Sequence, residues 1–527
     1  MGPMQPFRVA LCQVRAFDIE DAEHNLQDIL RALDEAGEAG AHLVALPECA
    51  YPAYYLKDEA PYSRPGVRPF EEVAALFAGK AERYGYWLAA GMAVPHPSGR
   101  VTNSGLIFGP DGERRGQYDK SFLWHFDTNW FERGRNFPVW DAGFCRFGVL
   151  ICADGRQPEV ARSLAVNGAE VILDLTAWVS WGRDPAGLST TQCEYLMPVR
   201  AFENGVWVAA ADKWGPEAGS IIYAGRSSVI DPTGVTRVCA PSDSDAVVVF
   251  DIEPMDVPAR VPRRPELYRP LTAPTESQPI AGLLGEPLIP ALEDRRVAVV
   301  PSLPEFEAGA FASVYRTLRA QDADLVVFGG TTGPEGWQGS LPVLEAAVGE
   351  VGGAAVLAVA TSGCAAAQSV VLVTPNETTE HAATHGRGIQ LGSTPAPVIP
   401  TPAGNLGLLC GDEGFVPEVA RMLMLEGADI LAWPLFAPHP MAEPVARTRS
   451  DENRVYTAVA WPGSAAIIAP TGAPVTISPE GTGVAMAAGV NCAMARWKDM
   501  APGTNVVHDR LPEAYGALLR QEAAGPA

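Results

Sequence analysis

The chain lacks the features that would send it to nucleic acid, to a membrane or to a metal. No cluster of lysine and arginine interrupts a formal net charge of −23, spread by acids along 527 residues, so the composition argues against a polyanionic partner. No window reaches the roughly 18 uninterrupted apolar residues of a membrane span. The nine cysteines, at 12, 49, 145, 152, 193, 239, 364, 410 and 492, include no Cys-x-x-Cys pair. That leaves neither a zinc cluster nor a disulfide framework and favours reduced thiols. The C-terminal half has no Gly-x-x-x-x-Gly-Lys loop and no Ser-Gly-Gly-x-Asp-Ser stretch, which argues against a fused ATP-dependent synthetase. Residues 1–6 show no basic stretch leading into an apolar one, so the expected location is the cytoplasm.

What is present is a globular composition, 47% apolar and 19% charged, in a chain too long for one core. Apolar runs alternate with helical periodicity. Strands are expected at 7–15, 87–94, 101–108, 146–151, 171–175, 207–211 and 246–252, and helices at 20–39, 69–84, 158–168 and 188–204, which points to a mixed α/β sheet. Residues 258–292 carry eight prolines and little periodicity, and read as a linker. The plan then restarts. Arg296-Val297-Ala298-Val299 echoes Arg8-Val9-Ala10-Leu11, and Pro417-Glu418-Val419-Ala420-Arg421 repeats Pro158-Glu159-Val160-Ala161-Arg162 residue for residue. Preserved order across such matches marks a duplication. The expected partition is a catalytic domain at 1–260, a proline-rich linker at 261–292 and a second copy at 293–527.

One stretch concentrates the chemistry. In Gly148-Val149-Leu150-Ile151-Cys152-Ala153-Asp154-Gly155 a cysteine closes an apolar run just before a helix, where a strand end presents a nucleophile. Leu46-Pro47-Glu48, Tyr118-Asp119-Lys120 and Leu150-Ile151-Cys152, taken together, resemble the motifs of the nitrilase superfamily of carbon-nitrogen hydrolases. Arg200-Ala201-Phe202-Glu203-Asn204 and Gly225-Arg226-Ser227-Ser228 strengthen the match, which covers nearly all of 7–255 and, more faintly, 295 to about 510. The resemblance implies tandem αββα sandwiches, paired within one chain as a pseudo-dimer, and a Glu-Lys-Cys triad of Glu48, Lys120 and Cys152. It also implies a second glutamate, Glu132 in Trp130-Phe131-Glu132-Arg133-Gly134, that positions lysine and substrate.

The residue chemistry agrees with the resemblance. A thiol of ordinary pKa near ~8.5 is mostly protonated at neutral pH and needs a base to attack an amide. Glu48 can take that proton and return it to the departing amine; Lys120 supplies charge where the oxyanion develops. Such chemistry needs no metal and no organic cofactor. Tyr54, Trp124, Trp178 and Ala153 are candidate substrate contacts, whereas Asp154, Arg156 and Glu203 are expected to hold the fold and the loop after the nucleophile. The substrate is expected to be a small amide or N-carbamoyl compound. Acyl transfer to an amine-type acceptor and nitrile cleavage are the alternatives, and further homo-oligomerisation is open.

The second copy is expected to be degenerate. The alignment places Gly330 at the position of Glu48, His385 at that of Lys120 and Cys410 at that of Cys152. No lysine occurs between 293 and 497. The rival reading is a second site built from Cys410, Glu413 and His385.

Overall fold

The structure is a computed structural model and describes residues 4–257, 259–284, 294–301, 309–332, 336–360 and 366–521. Cys364 and residues 285–293, across which the linker was expected to end and the second copy to begin, lie outside the described residues. The chain divides into two compact units. One comprises Met1–Arg260, Asp499–Asn505 and Asp509–Leu518; the other comprises Val261–Lys498, Val506–His508 and Leu519–Ala527. The two late segments of the first unit were not anticipated by the sequence partition, which ran the second copy to residue 527. Among the described residues no helix is long and apolar enough to cross a membrane.

In the first unit the helix Ala22–Glu38 buries Leu26, Ile29, Leu33 and Ala36, spaced three or four apart, so one stripe of it faces the core. Each of the larger side chains contributes about 1.5–3 kcal/mol on burial. With Phe70–Tyr84 it covers a sheet ordered Ile221–Ala224, Lys213–Glu217, Phe7–Arg15, Leu43–Ala45, Trp87–Pro95, Val101–Phe108 and Arg114–Asp119. Ala246–Ile252 adds antiparallel to Phe7–Arg15, and Phe131–Glu132 lies beside Val101–Phe108. The facing sheet runs Thr236–Cys239, Ser228–Ile230, Trp207–Ala211, Val171–Leu175, Arg146–Ile151 and Val139–Asp141, covered by Pro158–Val166 and Met197–Asn204. This is the αββα layering. Gly105 shows how closely the sheets approach: a Cβ there would sit 2.9 Å from Leu175 and 3.1 Å from Val149.

The second unit repeats the plan. One sheet runs Thr378–Ala382, Gln368–Val373, Ala354–Ala360, Leu325–Phe328, Arg295–Val300 and Met486–Val490. The other runs Val398–Thr401, Gly404–Leu408, Ile430–Pro434, Tyr456–Trp461, Ser464–Ile468 and Pro474–Ile477. Duplication extends to buried ion pairs. Arg200 Nη1 meets Glu203 Oε1 at 2.5 Å and donates from Nε to Gly155 O; Arg449 meets Glu452 at 2.7 Å and donates to Gly414 O. In both copies the Arg-Glu-Asn helix is tied to the turn that follows the strand Arg146–Ile151 or Gly404–Leu408.

Candidate active site

Three loops at the strand ends of the first unit bring the site together. The first is Pro47–Glu48, which crosses tightly over Gly91, where a Cβ would come within 1.9 Å of the Pro47 carbonyl oxygen. Only glycine permits that crossing. The second is the loop from Lys120 to Gly134, closed by the Gly134 N–H donating to Lys120 O at 2.9 Å. The third is the turn Cys152–Arg156. Cys152 itself has φ +48°, a left-handed conformation that costs a non-glycine residue free energy and persists when its surroundings enforce it. Two buried side chains do so. Asp174 accepts from Cys152 N at 2.9 Å, and Gln192, in the π-helical turn Gln192–Leu196, donates from Nε2 to Cys152 O at 2.7 Å.

Lys120 Nζ lies 2.7 Å from Glu48 Oε1 and 2.6 Å from Asp127 Oδ2, all three side chains being fully buried. Burial raises the Glu48 carboxyl above its ordinary range, with Lys120 working against the shift. For Lys120 burial opposes the charge, yet Asp127 and then Glu48 outweigh it, so the ammonium is held well above its usual pKa. Burial likewise pushes the Cys152 thiol up, Glu48 adds to that, and Lys120 offsets part of it. The resting site therefore combines a neutral thiol, a fixed cation and the Glu48 carboxyl group, whose Oε2 has no hydrogen-bond partner among the described residues. Such an arrangement can move a proton from sulfur to carboxylate once a carbonyl approaches the cation.

The model of the Carbon-nitrogen hydrolase family matches residues 8–259 and again 369–498. The chain belongs to the carbon-nitrogen hydrolase family. Within it the chain falls in the amidase-like branch of the nitrilase superfamily, as an enzyme acting on carbon–nitrogen bonds. An omega-amidase of Xenopus laevis is 29% identical over 283 residues, 50% of this chain and 98% of that protein. A nitrilase of Pyrococcus abyssi is 32% identical over 249 residues, 47% of this chain and 89% of that one. An amidase structure from Nesterenkonia sp. aligns at 27% identity with a TM-score of 0.42, covering 47% of this chain and 90% of the other.

Of the residues expected from the sequence, the first unit brings Glu48 and Lys120 into contact and sets both close enough for their charges to act on Cys152. Glu132 is not with them. It lies on the two-residue strand Phe131–Glu132, partly exposed, where it accepts from Ser98 Oγ at 3.2 Å and lies 3.7 Å from Arg100. Asp127 takes the second carboxylate position. It also accepts from Tyr54 Oη at 2.7 Å and from Trp124 N at 2.9 Å. Tyr54 is thus a fully buried member of the charge network, its ring 5.7 Å from Lys120 Nζ. Trp124 is half-buried with the Arg156 guanidinium 4.9 Å from its ring. Trp178 is buried and its indole N–H finds no acceptor among the described residues; Ala153 is buried behind the nucleophile. Asp154 accepts from Ser121 N, Phe122 N and Ile151 N, fastening the lysine loop to the cysteine turn.

The same hydrogen bonds locate the corresponding positions in the second unit, and two of them differ from the sequence alignment. Glu413 accepts from Thr384 N and Cys410 N as Asp154 accepts from Ser121 N and Ile151 N. Cys410 therefore corresponds to Ile151, and the nucleophile position is Gly411, whose φ of +53° matches that of Cys152. Ala383, not His385, holds the place of Lys120: Ala383 N donates to Gln368 O as Lys120 N donates to Asn103 O. Gly330 holds the place of Glu48, its N–H donating to Leu435 O as Glu48 N donates to Thr176 O. His385 instead stacks on Tyr268, its Nε2 2.9 Å from the phenol oxygen. The vacated space is filled. A Cβ at 411 would lie 2.7 Å from Gln368 Oε1 and 3.2 Å from the Phe436 ring, and Trp433 donates to Gly411 O at 2.7 Å.

Finally, the late segments of the first unit return to the lysine loop. His125 N donates to Thr504 Oγ1 at 2.7 Å, Arg133 donates to Asp509 O, Arg135 pairs with Glu513, and Phe137 stacks on Tyr515. Among the described residues no group of three or more His, Cys, Asp or Glu side chains is arranged to hold a metal ion.

Proposed function

We propose that the first unit hydrolyses a small primary amide or N-carbamoyl compound through a Cys152 thioester. The observation that carries this reading is the fully buried Glu48–Lys120–Asp127 network beside a cysteine held in a left-handed turn. In the first half-reaction Glu48 takes the thiol proton as sulfur attacks the carbonyl carbon, and Lys120, held charged and aimed by Asp127, stabilises the oxyanion. The proton passes to the leaving nitrogen as the carbon–nitrogen bond breaks, and ammonia or amine departs. In the second, Glu48 takes a proton from water, whose oxygen attacks the thioester; the acid leaves and the thiol is restored. An omega-amidase among the relatives makes a primary amide the leading candidate. Capture of the same thioester by an amine would make the enzyme an acyltransferase, which added hydroxylamine would reveal as a hydroxamate product.

In this reading the second unit carries no catalysis. Its three corresponding positions are Gly330, Ala383 and Gly411, and it is a pseudoenzyme domain. The test is ammonia release from a panel of primary amides, N-carbamoyl amino acids and nitriles. Turnover of amides or carbamoyl compounds that vanishes in Cys152→Ala is the expected result; turnover of nitriles alone, or turnover surviving Cys152→Ala, overturns it.

A further inference from the structure

We propose that Asn103 is a positioning residue that reserves one oxygen of Glu48 for proton transfer, and that the Cys49 thiol sets Asn103 in that role. The inference rests on the hydrolase reading of Cys152 and deepens it.

Asn103 lies in the strand Val101–Phe108 with its side chain fully buried. Its amide hydrogen bonds go to two consecutive residues of the facing loop. Nδ2 donates to Glu48 Oε1 at 2.7 Å, and Oδ1 accepts from Cys49 Sγ at 3.3 Å. Cys49 thus dictates which end of the amide faces Glu48, since a thiol donor requires the oxygen and a carboxylate requires the nitrogen. The loop is held to present both residues: Cys49 has φ +38° and its carbonyl accepts from the buried Lys213 Nζ at 2.8 Å.

The consequence falls on Glu48. Lys120 and Asn103 both donate to Oε1, while Oε2 is buried with no partner among the described residues. A carboxylate held by one donor can rotate and exchange its oxygens. Two donors converging on one oxygen fix the plane and leave the other free to meet a thiol or a water. An unpartnered buried carboxylate oxygen is costly, and its persistence beside Cys152 fits a group whose partner arrives with the reaction. Where the second unit has Gly330 at the Glu48 position it carries Gln368 at the Asn103 position, its amide oxygen packed toward Gly411.

Asn103→Leu and Cys49→Ala test this in the full-length chain, with kcat, KM and their pH dependence measured on an amide that the wild type turns over. Alkylation of Cys152 by iodoacetamide, followed by peptide mass, gives a second reading. We expect kcat of Asn103→Leu to fall about 10- to 100-fold, the range of a lost hydrogen bond to a charged group, with KM within about twofold. Loss of a donor to the ionised form raises the Glu48 pKa, so the acid limb of kcat moves to higher pH. That shift is judged with the other groups facing Glu48, namely Lys120, Asp127, Cys49, Cys152, Asp174, Asp212, Tyr54 and Tyr223, left in place. Alkylation slows in parallel, and Cys49→Ala moves every readout the same way by less. Wild-type kcat and pH limb in both variants, or a change confined to KM, overturns the proposal. Should Asn103→Leu not fold, Cys49→Ala carries the test. A wild type that releases no product yet alkylates at an Asn103-dependent rate sinks the hydrolase reading and leaves the positioning role standing.

Discussion

The two units are built from one plan and differ in where they place charge. In the first, the strand ends gather Glu48, Lys120, Asp127 and Asp174 around Cys152 in a fully buried setting, a costly arrangement that the fold tolerates by hydrogen-bonding most of it. In the second, Gly330, Ala383 and Gly411 stand at the places of Glu48, Lys120 and Cys152, Trp433 donates to Gly411 O, and the Phe436 ring packs 3.2 Å from where a Cβ at 411 would lie. What both units keep is equally telling. The Arg-Glu-Asn helix, the carboxylate that ties loop to turn and the left-handed residue after the strand Arg146–Ile151 or Gly404–Leu408 survive in each. These are requirements of the fold, and the triad is not.

Cys152→Ala is expected to have the largest effect, lowering turnover by about 10⁴-fold or more; residual ammonia release near the wild-type rate would move the chemistry out of the first unit. Next, removing residues 499–527 takes away Thr504 and Asp509 from the loop bearing Lys120 and Asp127, and Tyr515 from Phe137 just beyond it. An expected loss of about tenfold or more in kcat, as displaced catalytic groups bring, would be read alongside the melting profile. Gly411→Cys restores a thiol at the nucleophile position of the second unit but meets Gln368 and Phe436. It should cost about 1–3 kcal/mol of stability by overpacking and gain no iodoacetamide-reactive site; alkylation of the introduced thiol would weaken the contrast drawn above.

The comparison also predicts opposite behaviour for two buried lysines. Lys120, flanked by two carboxylates, is held charged, whereas Lys498, donating to Asn453 O and Arg454 O, is pushed by burial down to about 7. Between about pH 7 and the unfolded value near ~10.4 the unfolded chain holds a proton at Lys498 that the folded chain does not, so stability rises with pH across that window. Below it both states are protonated and that gain is absent. Subtracting the pH dependence of Lys498→Met from that of wild type should isolate the rise; a flat difference would refute it. Smallest of all, Cys410→Ala should leave turnover within about twofold of wild type, because Cys410 stands where the first unit has Ile151.

Much of this was legible in the sequence. Glu48 and Cys152 each follow an apolar run, a local pattern that survives translation into space, whereas Lys120, after Gln117-Tyr118-Asp119, is marked by the resemblance alone. Asp127 was missed because it opens the single helical turn Asp127–Trp130, too short for a periodicity to mark which acid turns inward. Glu132, five residues on, fits a motif but falls on a strand whose phase points it toward Ser98 and Arg100. The register error at Cys410 was avoidable. The Pro-Glu-Val-Ala-Arg repeat fixes the offset, and six residues before Pro158 is Cys152 whereas six before Pro417 is Gly411. Matching cysteine to cysteine overrode the stronger signal. The return of Asp499–Asn505 and Asp509–Leu518 to the first unit had no local signature, since nothing in a sequence states which of two similar units a short segment joins.

That return also sets an order of events during synthesis. Thr504 and Asp509, which brace the loop carrying Lys120 and Asp127, leave the ribosome only after the Val261–Lys498 part of the second unit has been made. At about 5–20 residues per second, the first unit spends roughly 10–50 s with its sheets encoded and its lysine loop unbraced. The thiol and its charged neighbours are therefore made early and the bracing of their loop late, and full activity is expected only once residues 504–509 have emerged.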